Sequence, residues 1–193
     1  MSESIVLPES ERIEYSRMQD SDLDELAQLL GDPTTMQFYP RPKTREEALD
    51  WIRWNQRNYA RDGLGLWTLR LKDPASAAVN SARLAALKEN SKSRAASSYF
   101  IGECGLTWQR IDGVEELEIG YHVRPELQGQ GLATEAAQAS RDLAISLDHR
   151  RLMSIIHPDN IASRRVAEKV GMQADRETVS RTGIPVVVYA GQW

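Results

Sequence analysis

The spacing of apolar residues along the chain predicts short strands interleaved with helices. Runs in which every second residue is apolar, such as the one containing Ile13 and Tyr15, favour strands, and segments with apolar residues every three or four positions favour helices. The predicted strands span residues 13–15, 66–71, 99–108, 117–123, 152–156, 172–181 and 184–190, and the predicted helices span 23–30, 44–62, 133–147 and 161–170. This order, β-α-α-β-β-β-α-β-α-β-β, predicts an α/β (α+β) domain in which a mixed sheet is covered by helices on both faces.

Residues at the predicted boundaries agree with this division. Thr44 followed by Glu47 has the spacing of a capping box, which predicts the start of a helix, and Gly63 ends the same segment. The residues Asp20-Ser21-Asp22 provide N-cap chemistry for the first helix. Gly171 stands at the position where a left-handed residue commonly ends a helix. Local chemistry therefore supports helix ends at these places.

One segment departs from the pattern. A chain of 193 residues is most simply interpreted as one domain. Residues 74–98, however, include eight alanines and six serines, and such a segment buries too little apolar surface to order itself fully. We therefore expect a single domain over residues 1–193 with a mobile Ala/Ser-rich insertion at 74–98, in which 79–90 forms a short helix.

Charge and hydropathy exclude several classes of protein. A formal net charge of −4 argues against general nucleic-acid binding, which needs a basic surface. No run approaches the roughly 18 apolar residues of a membrane span, and the N-terminal sequence lacks the regions of a signal peptide. We therefore expect a cytoplasmic protein without nucleic-acid or membrane partners. The only cysteine, Cys104, is predicted to be a packed strand residue and not a nucleophile.

The stretch 117–134 carries the clearest candidate chemistry. A predicted strand ends at Arg124-Pro125, because proline cannot donate to a sheet ladder, and Gln128-Gly129-Gln130-Gly131 then leads into a helix. The first N–H groups of a helix lack partners and carry partial positive charge, so they attract anions. This arrangement predicts a site for the phosphate groups of a cofactor.

Two motifs make the chain similar to a known family. Gln128, Gly131 and Ala133 fit the pattern Q/R-x-x-G-x-G/A between a strand and a helix, which resembles the GNAT superfamily of acyl-CoA N-acyltransferases. Asn160-x-x-Ser163, followed by EKVGM at 168–172, resembles the RimJ/RimL-like branch. The resemblance covers nearly all of the chain outside the insertion. It implies the GNAT fold, with a mixed, mostly antiparallel sheet of six to seven strands and a splay between the fourth and fifth strands.

The resemblance also implies acetyl-CoA as the acyl donor. The pantetheine arm is expected in the splay, along the backbone of Tyr121 and Val123 and close to Asn160 and Ser163. The pyrophosphate is expected at the backbone amides of Gln128, Gly129, Gln130, Gly131, Leu132 and Ala133. The basic residues that either contact the 3′-phosphate or lie in solvent are Arg124, Arg164, Arg165 and Lys169.

Acyl transfer to an amine needs a base for the amine and a proton for the leaving thiolate. Glu118 is the candidate base, and a structural ion pair is the alternative for this residue. The tyrosine that many GNAT enzymes use as the acid is replaced by Ala167. Ser163 is the nearest substitute and serves as acid, as a CoA contact, or simply bonds a carbonyl one turn back. His122 and His157 have no metal-ligand partner at suitable spacing, so no metal is predicted and both are interpreted as structural.

These features predict an acetyl-CoA-dependent N-acetyltransferase in which a primary amine attacks the thioester directly in a ternary complex. A CoA-binding sensor or scaffold without catalysis is the alternative, because Ala167 replaces the usual acid. No motif specifies the acceptor, which is either a protein N-terminus or a small amine, and homodimer formation is left open.

Overall fold

The part of the chain that the structure describes forms one sheet of seven strands. The computed structural model describes residues 5–73 and 99–193. The strands are β1 (Ile13–Arg17), β2 (Leu66–Leu71), β3 (Tyr99–Ile111), β4 (Val114–Val123), β5 (Arg151–Ile156), β6 (Gln173–Val179) and β7 (Pro185–Gln192). They lie in the order β1-β2-β3-β4-β5-β7-β6, and every neighbouring pair is antiparallel except β4 and β5. The predicted element order and the mixed, mostly antiparallel sheet are confirmed. The predicted insertion at 74–98, with its short helix, lies outside the described residues.

Four α-helices occur in residues 5–73 and 99–193: α1 (Leu23–Gly31), α2 (Arg45–Asp62), α3 (Leu132–Ser146) and α4 (Ile161–Val170). The predicted capping box of α2 is present, because Thr44 Oγ1 accepts from the Glu47 N–H and the Glu47 carboxylate accepts from the Thr44 N–H. Gly63 and Gly171 end α2 and α4 with φ of 80° and 102°. None of the helices in the described part of the chain is long and apolar enough to cross a membrane.

The start of α1 differs from the prediction. Residues Asp20–Asp22 form a short 3₁₀ turn, and the Asp22 side chain does not cap α1. Its carboxylate accepts from the Gln19 N–H at 2.9 Å and from the Arg70 guanidinium of β2 at 3.3 Å. Arg70 also pairs with the buried Glu25 of α1. Arg70, which is distant in sequence, therefore pairs with Asp22, one of the residues that the sequence predicted to cap α1.

The helices cover both faces of the sheet. Because side chains alternate along a strand, Glu103 and Cys104 of β3 point to opposite faces. The indole of Trp51 in α2 donates to Glu103, whereas Cys104 Sγ lies 3.5 Å from Ser140 Oγ of α3. α1 packs with α2, and α3 packs with α4, so the prediction of helices on both faces is confirmed. Burial raises the pKa of the Cys104 thiol to about 12, which confirms a packed residue.

The hairpin of β3 and β4 is longer than predicted and builds the centre of the site. Asp112 and Gly113 form its turn with φ of 52° and 81°, and pairing continues along the full length of both strands. The register places Glu103 opposite His122. Two polar side chains that are 19 positions apart in sequence thus become direct neighbours on the face covered by α1 and α2.

Candidate active site

β4 and β5 run parallel but pair through their backbones at one position, Glu118 with Met153. Two side-chain contacts join the strands just beyond it. Ser154 Oγ donates to the Ile119 carbonyl at 2.8 Å, and the Ile155 N–H donates to the Glu118 carboxyl at 3.2 Å. No further ladder pairing between these strands occurs in the part of the chain that the structure describes. The strands therefore splay, as predicted, and residues 120–123 of β4 border the gap.

The carboxyl group of Glu118 lies where the splay begins. Burial raises its pKa to about 7, although the Ile155 N–H and the nearby His122 act in the opposite direction. No salt bridge to Glu118 occurs within residues 5–73 and 99–193, so the alternative of a structural ion pair finds no partner there. A carboxyl group with a pKa near 7 can both accept and release a proton at neutral pH, which suits a general base.

Tyr121 and Val123 lie on the opposite face of β4 from Glu118. The Tyr121 hydroxyl donates to the carbonyl oxygen of Ser163 at 2.8 Å and so ties β4 to the start of α4. The carbonyl oxygen of Val123 accepts from Gln128 Nε2 at 2.9 Å. Gln128 therefore fixes the end of β4 with its side chain, and one backbone acceptor near the gap is already engaged.

The loop before α3 has the backbone that an anion site needs. Gly129 and Gly131 have φ of 76° and 79°, which residues with side chains rarely adopt. A Cβ at position 129 would meet nothing within 4 Å, so this glycine is required for its backbone conformation and not for space. α3 begins at Leu132 without a side-chain cap, and the N–H groups of Leu132 and Ala133 have no partner in the described residues.

Arg12 supports this loop from the side. Its guanidinium pairs with Glu135 of α3 at 2.6 Å and donates to the carbonyl oxygen of Gln130 at 3.1 Å. The side-chain amide of Gln130 is buried, and neither its nitrogen nor its oxygen has a partner in the described residues. Buried polar atoms are normally bonded, so this amide is available to a group that enters the loop.

Asn160 and Ser163 lie together at the start of α4. Asn160 Oδ1 accepts from the Ser163 N–H at 3.1 Å, which confirms that Asn160 caps the helix. The hydroxyl of the half-buried Ser163 has no hydrogen-bond partner in the described part of the chain, so it does not bond a carbonyl one turn back. Ala167 is buried one turn further along α4 and brings no hydroxyl to this side of the gap.

The four basic candidates separate into two groups. Arg124 is buried and its side chain contacts Glu126, and Arg164 donates to the Tyr189 hydroxyl and to the Pro158 carbonyl. Arg165 and Lys169 are exposed on α4. Of the four, only Arg165 and Lys169 make no hydrogen bond or ion pair within the part of the chain that the structure describes. No group of three or more His, Cys, Asp or Glu side chains in the described residues could hold a metal ion.

The structure brings together three residues that the sequence analysis did not name as catalytic or cofactor-binding. The carboxylate of Glu103 has no exposed surface and accepts from Trp51 Nε1 at 2.9 Å, and it lies 2.8 Å from His122 Nδ1. His122 Nε2 lies 2.8 Å from the hydroxyl of Tyr39, whose side chain is 46% exposed. One signal was present in the sequence, since Glu103 is a lone acid inside the apolar run 99–108.

The loop at residues 34–42 contacts the ends of both splayed strands. Tyr39 reaches His122 of β4, and the Phe38 ring stacks on His157, just after β5, with ring centroids 5.1 Å apart. His157 Nδ1 also accepts from the Asp159 N–H at 3.2 Å. The loop thus borders the gap on the face that carries Glu118.

Comparison with known proteins agrees with this geometry. Residues 12–173 match the acetyltransferase (GNAT) domain. The protein YkkB of Bacillus subtilis (strain 168) is 31% identical over 182 residues, which cover 93% of this chain and 92% of YkkB. An acetyltransferase from Agrobacterium tumefaciens C58 has a TM-score of 0.74 at 21% identity and covers 100% of this chain and 98% of its own. RimL, the ribosomal L7/L12 α-N-protein acetyltransferase in complex with coenzyme A, has a TM-score of 0.68 at 19% identity and covers 96% of this chain and 97% of its own.

Proposed function

The chain belongs to the GNAT acetyltransferase family, and we propose that it transfers the acetyl group of acetyl-CoA to a primary amine by direct attack in a ternary complex. The observation that carries this proposal is the position of Glu118. Its carboxyl group lies at the start of the splay and has a pKa raised by burial to about 7. A base at this place can take a proton from an amine that approaches from the face of α1 and α2.

The donor acetyl-CoA is proposed to bind on the loop before α3 and in the splay. The unpaired N–H groups of Leu132 and Ala133, and the positive φ of Gly129 and Gly131, fit a pyrophosphate that is bound by backbone amides. The unpaired amide of Gln130 adds a donor and an acceptor to the same loop. RimL, which has this fold, binds coenzyme A.

The pantetheine arm is proposed to lie between β4 and α4. The backbone of Tyr121 borders this gap, whereas the carbonyl oxygen of Val123 is occupied by Gln128. We assign the unpaired hydroxyl of Ser163 to the donor side, where it contacts the arm or gives a proton to the leaving thiolate. Asn160 holds the first turn of α4 in place for this contact.

The demand on Glu118 depends on the acceptor. Removing a proton from a lysine-like ammonium of pKa about 10.4 at pH 7 costs about 4.6 kcal/mol, whereas an α-ammonium of pKa about 8 costs about 1.4 kcal/mol. A base with a pKa near 7 is closer to the pKa of the second class, so the proton transfer costs less there. The RimJ/RimL-like motif at Asn160 and Ser163 points the same way, because that branch includes modifiers of protein N-termini. We therefore propose that the chain belongs to this branch and acts in the cytoplasm on an N-terminal or small primary amine.

A release assay tests the proposal. Wild-type protein is mixed with acetyl-CoA and a panel of N-terminal peptides, polyamines and aminoglycosides, and free CoA thiol and acetylated amine are both measured. We expect acetyl-CoA to bind at about micromolar concentration and at least one amine to release thiol and gain the acetyl group. Binding of acetyl-CoA without release by any amine would instead favour the sensor that Ala167 suggests. Failure to bind either acetyl-CoA or CoA would refute both functions.

A further inference from the structure

Glu103, His122 and Tyr39 form a continuous hydrogen-bonded chain from the interior to the surface. Glu103 has no exposed surface, the His122 side chain is 12% exposed, and Tyr39 is 46% exposed. The three residues come from β3, β4 and the loop at 34–42, and they lie on the face that carries Glu118. They form a second polar group beside the candidate base, and the reaction described above does not use them.

The hydrogen-bond donors around Glu103 determine the direction of the hydrogen bonds among these three residues. The indole of Trp51 can only donate, and a carboxylate can only accept. His122 Nδ1 must therefore carry a hydrogen for the 2.8 Å contact with Glu103, and in the neutral tautomer with this hydrogen Nε2 is an acceptor. In that state the Tyr39 hydroxyl, 2.8 Å from Nε2, is the donor to the ring, and its oxygen can accept a proton from another group.

A second proton acceptor is needed at the acceptor nitrogen. An ammonium group must lose two protons before it becomes an amide. One appears on the CoA thiol, and the other is released. Glu118 can hold one proton at a time, and its carboxyl group is also bonded to the Ile155 N–H. A separate group that takes the other proton would allow both to leave the nitrogen during one turnover.

We propose that Tyr39, His122 and Glu103 are a proton relay for the acceptor amine. This relay rests on the proposed N-acetyltransferase activity of the chain. Glu118 takes the first proton as the amine attacks the thioester carbon. The nitrogen of the tetrahedral adduct gives the second proton to Tyr39 Oη while the proton of Tyr39 passes to His122 Nε2. Glu103 stabilises the imidazolium that results, and His122 returns its proton to solvent through Tyr39 after product leaves. As the C–S bond breaks, the CoA thiolate takes a proton from Ser163, which solvent replaces, and Glu118 releases its proton to solvent. Tyr39 acts as a catalytic residue, and His122 and Glu103 act through it.

The Tyr39→Phe variant tests the relay, because it removes one hydroxyl and keeps the ring. We expect kcat/KM for the amine to fall about 10- to 100-fold while the KM for acetyl-CoA stays unchanged. The solvent deuterium effect on kcat should also decrease, since one transferred proton is lost. Tyr99→Phe is the matched control, because the hydroxyl of this partly buried tyrosine has no hydrogen-bond partner in the described residues and lies outside the site.

A double variant separates the relay from a structural contact. Glu103→Gln should lower kcat/KM to a similar extent. The double variant Tyr39→Phe with Glu103→Gln should have a kcat/KM no lower than that of the less active single variant, because the effects of residues that act as a unit are not additive. Effects that multiply, or a Tyr39→Phe enzyme with wild-type rate and isotope effect, would overturn the relay and leave the acetyltransferase standing. A wild-type protein that acetylates no amine would overturn the acetyltransferase itself. If Glu103→Gln does not fold, the Tyr39→Phe and Tyr99→Phe pair still decides the question.

Discussion

Replacing Glu118 with glutamine should make the folded protein more stable at neutral pH. The glutamine keeps the shape of the side chain, and its carbonyl oxygen can still accept from the Ile155 N–H at the position that the carboxyl oxygen now holds. What the substitution removes is the ionisation of a half-buried carboxyl group. The wild-type protein must bear the cost of that ionisation once the pH rises above the pKa of the folded state.

The size of the effect follows from the pKa of Glu118. Burial raises this pKa from the ordinary value of 4.5 to about 7. The folded state therefore binds more protons than the unfolded state between these two values, and the free energy of unfolding falls as the pH rises through that window. At about 1.36 kcal/mol for each unit of pKa, the full loss above pH 7 is about 3 kcal/mol. Glu118→Gln should be free of this loss.

Urea unfolding of wild type and variant at pH 4.5 to 8 measures the difference directly. Groups that titrate equally in both proteins cancel, so the gap between the two curves reports position 118 alone. Glu116→Gln is the matched control on the same strand. Burial acts to raise the pKa of Glu116, but the hydrogen bonds from Arg176 and Arg151 outweigh it and hold the pKa below its ordinary value. This control should be less stable than wild type at neutral pH, with a gap that closes as the pH falls.

A constant gap between Glu118→Gln and wild type across this range would refute the reasoning. It would show that the Glu118 carboxyl is solvated in the folded state and titrates there as in the unfolded chain. The same measurement bears on catalysis. If Glu118 is the base, kcat/KM for an amine should also rise with pH through about 7 in the wild type. The Glu118→Gln variant should not show this rise.

Three further predictions concern the rest of the site. Gly131→Val should raise the KM for acetyl-CoA about tenfold or more, because a β-branched residue resists a φ of 79°. Gly113→Val, in the distant turn between β3 and β4, is the control. Calorimetric titration with CoA checks both variants. Asn160→Ala should lower the free energy of unfolding by about 1 kcal/mol through loss of the α4 cap, measured by urea unfolding, and Asn160→Ser should recover most of it. Cys104 should react with a thiol reagent only as fast as the protein unfolds, since it is fully buried, and rapid labelling of the native protein would contradict this.

Much of the fold could be predicted because its signals are local. The two-residue and three-to-four-residue periods located all seven strands and all four helices of the described residues. The capping box at Thr44 and the glycines at 63 and 171 act within one helical turn, so neighbouring residues were sufficient to identify them. The prediction that Asp20-Ser21-Asp22 caps α1 with a side chain was wrong for the complementary reason, because Arg70 lies 48 positions from Asp22 and offers its carboxylate a charged partner.

The candidate site also combines features that depend on residues close in the chain with features that depend on tertiary contacts. By itself the sequence determined the turn with Gly129 and Gly131, the uncapped start of the helix that follows, and the strand that carries Glu118, since each depends on residues close together in the chain. Only the tertiary structure decided that Glu118 would titrate near pH 7, because desolvation depends on the atoms packed around a carboxyl group. The contact of Tyr39 with His122 and Glu103 was likewise decided by the register of β3 on β4 and by a loop 60 or more positions away, whose positions no local pattern of residues encodes.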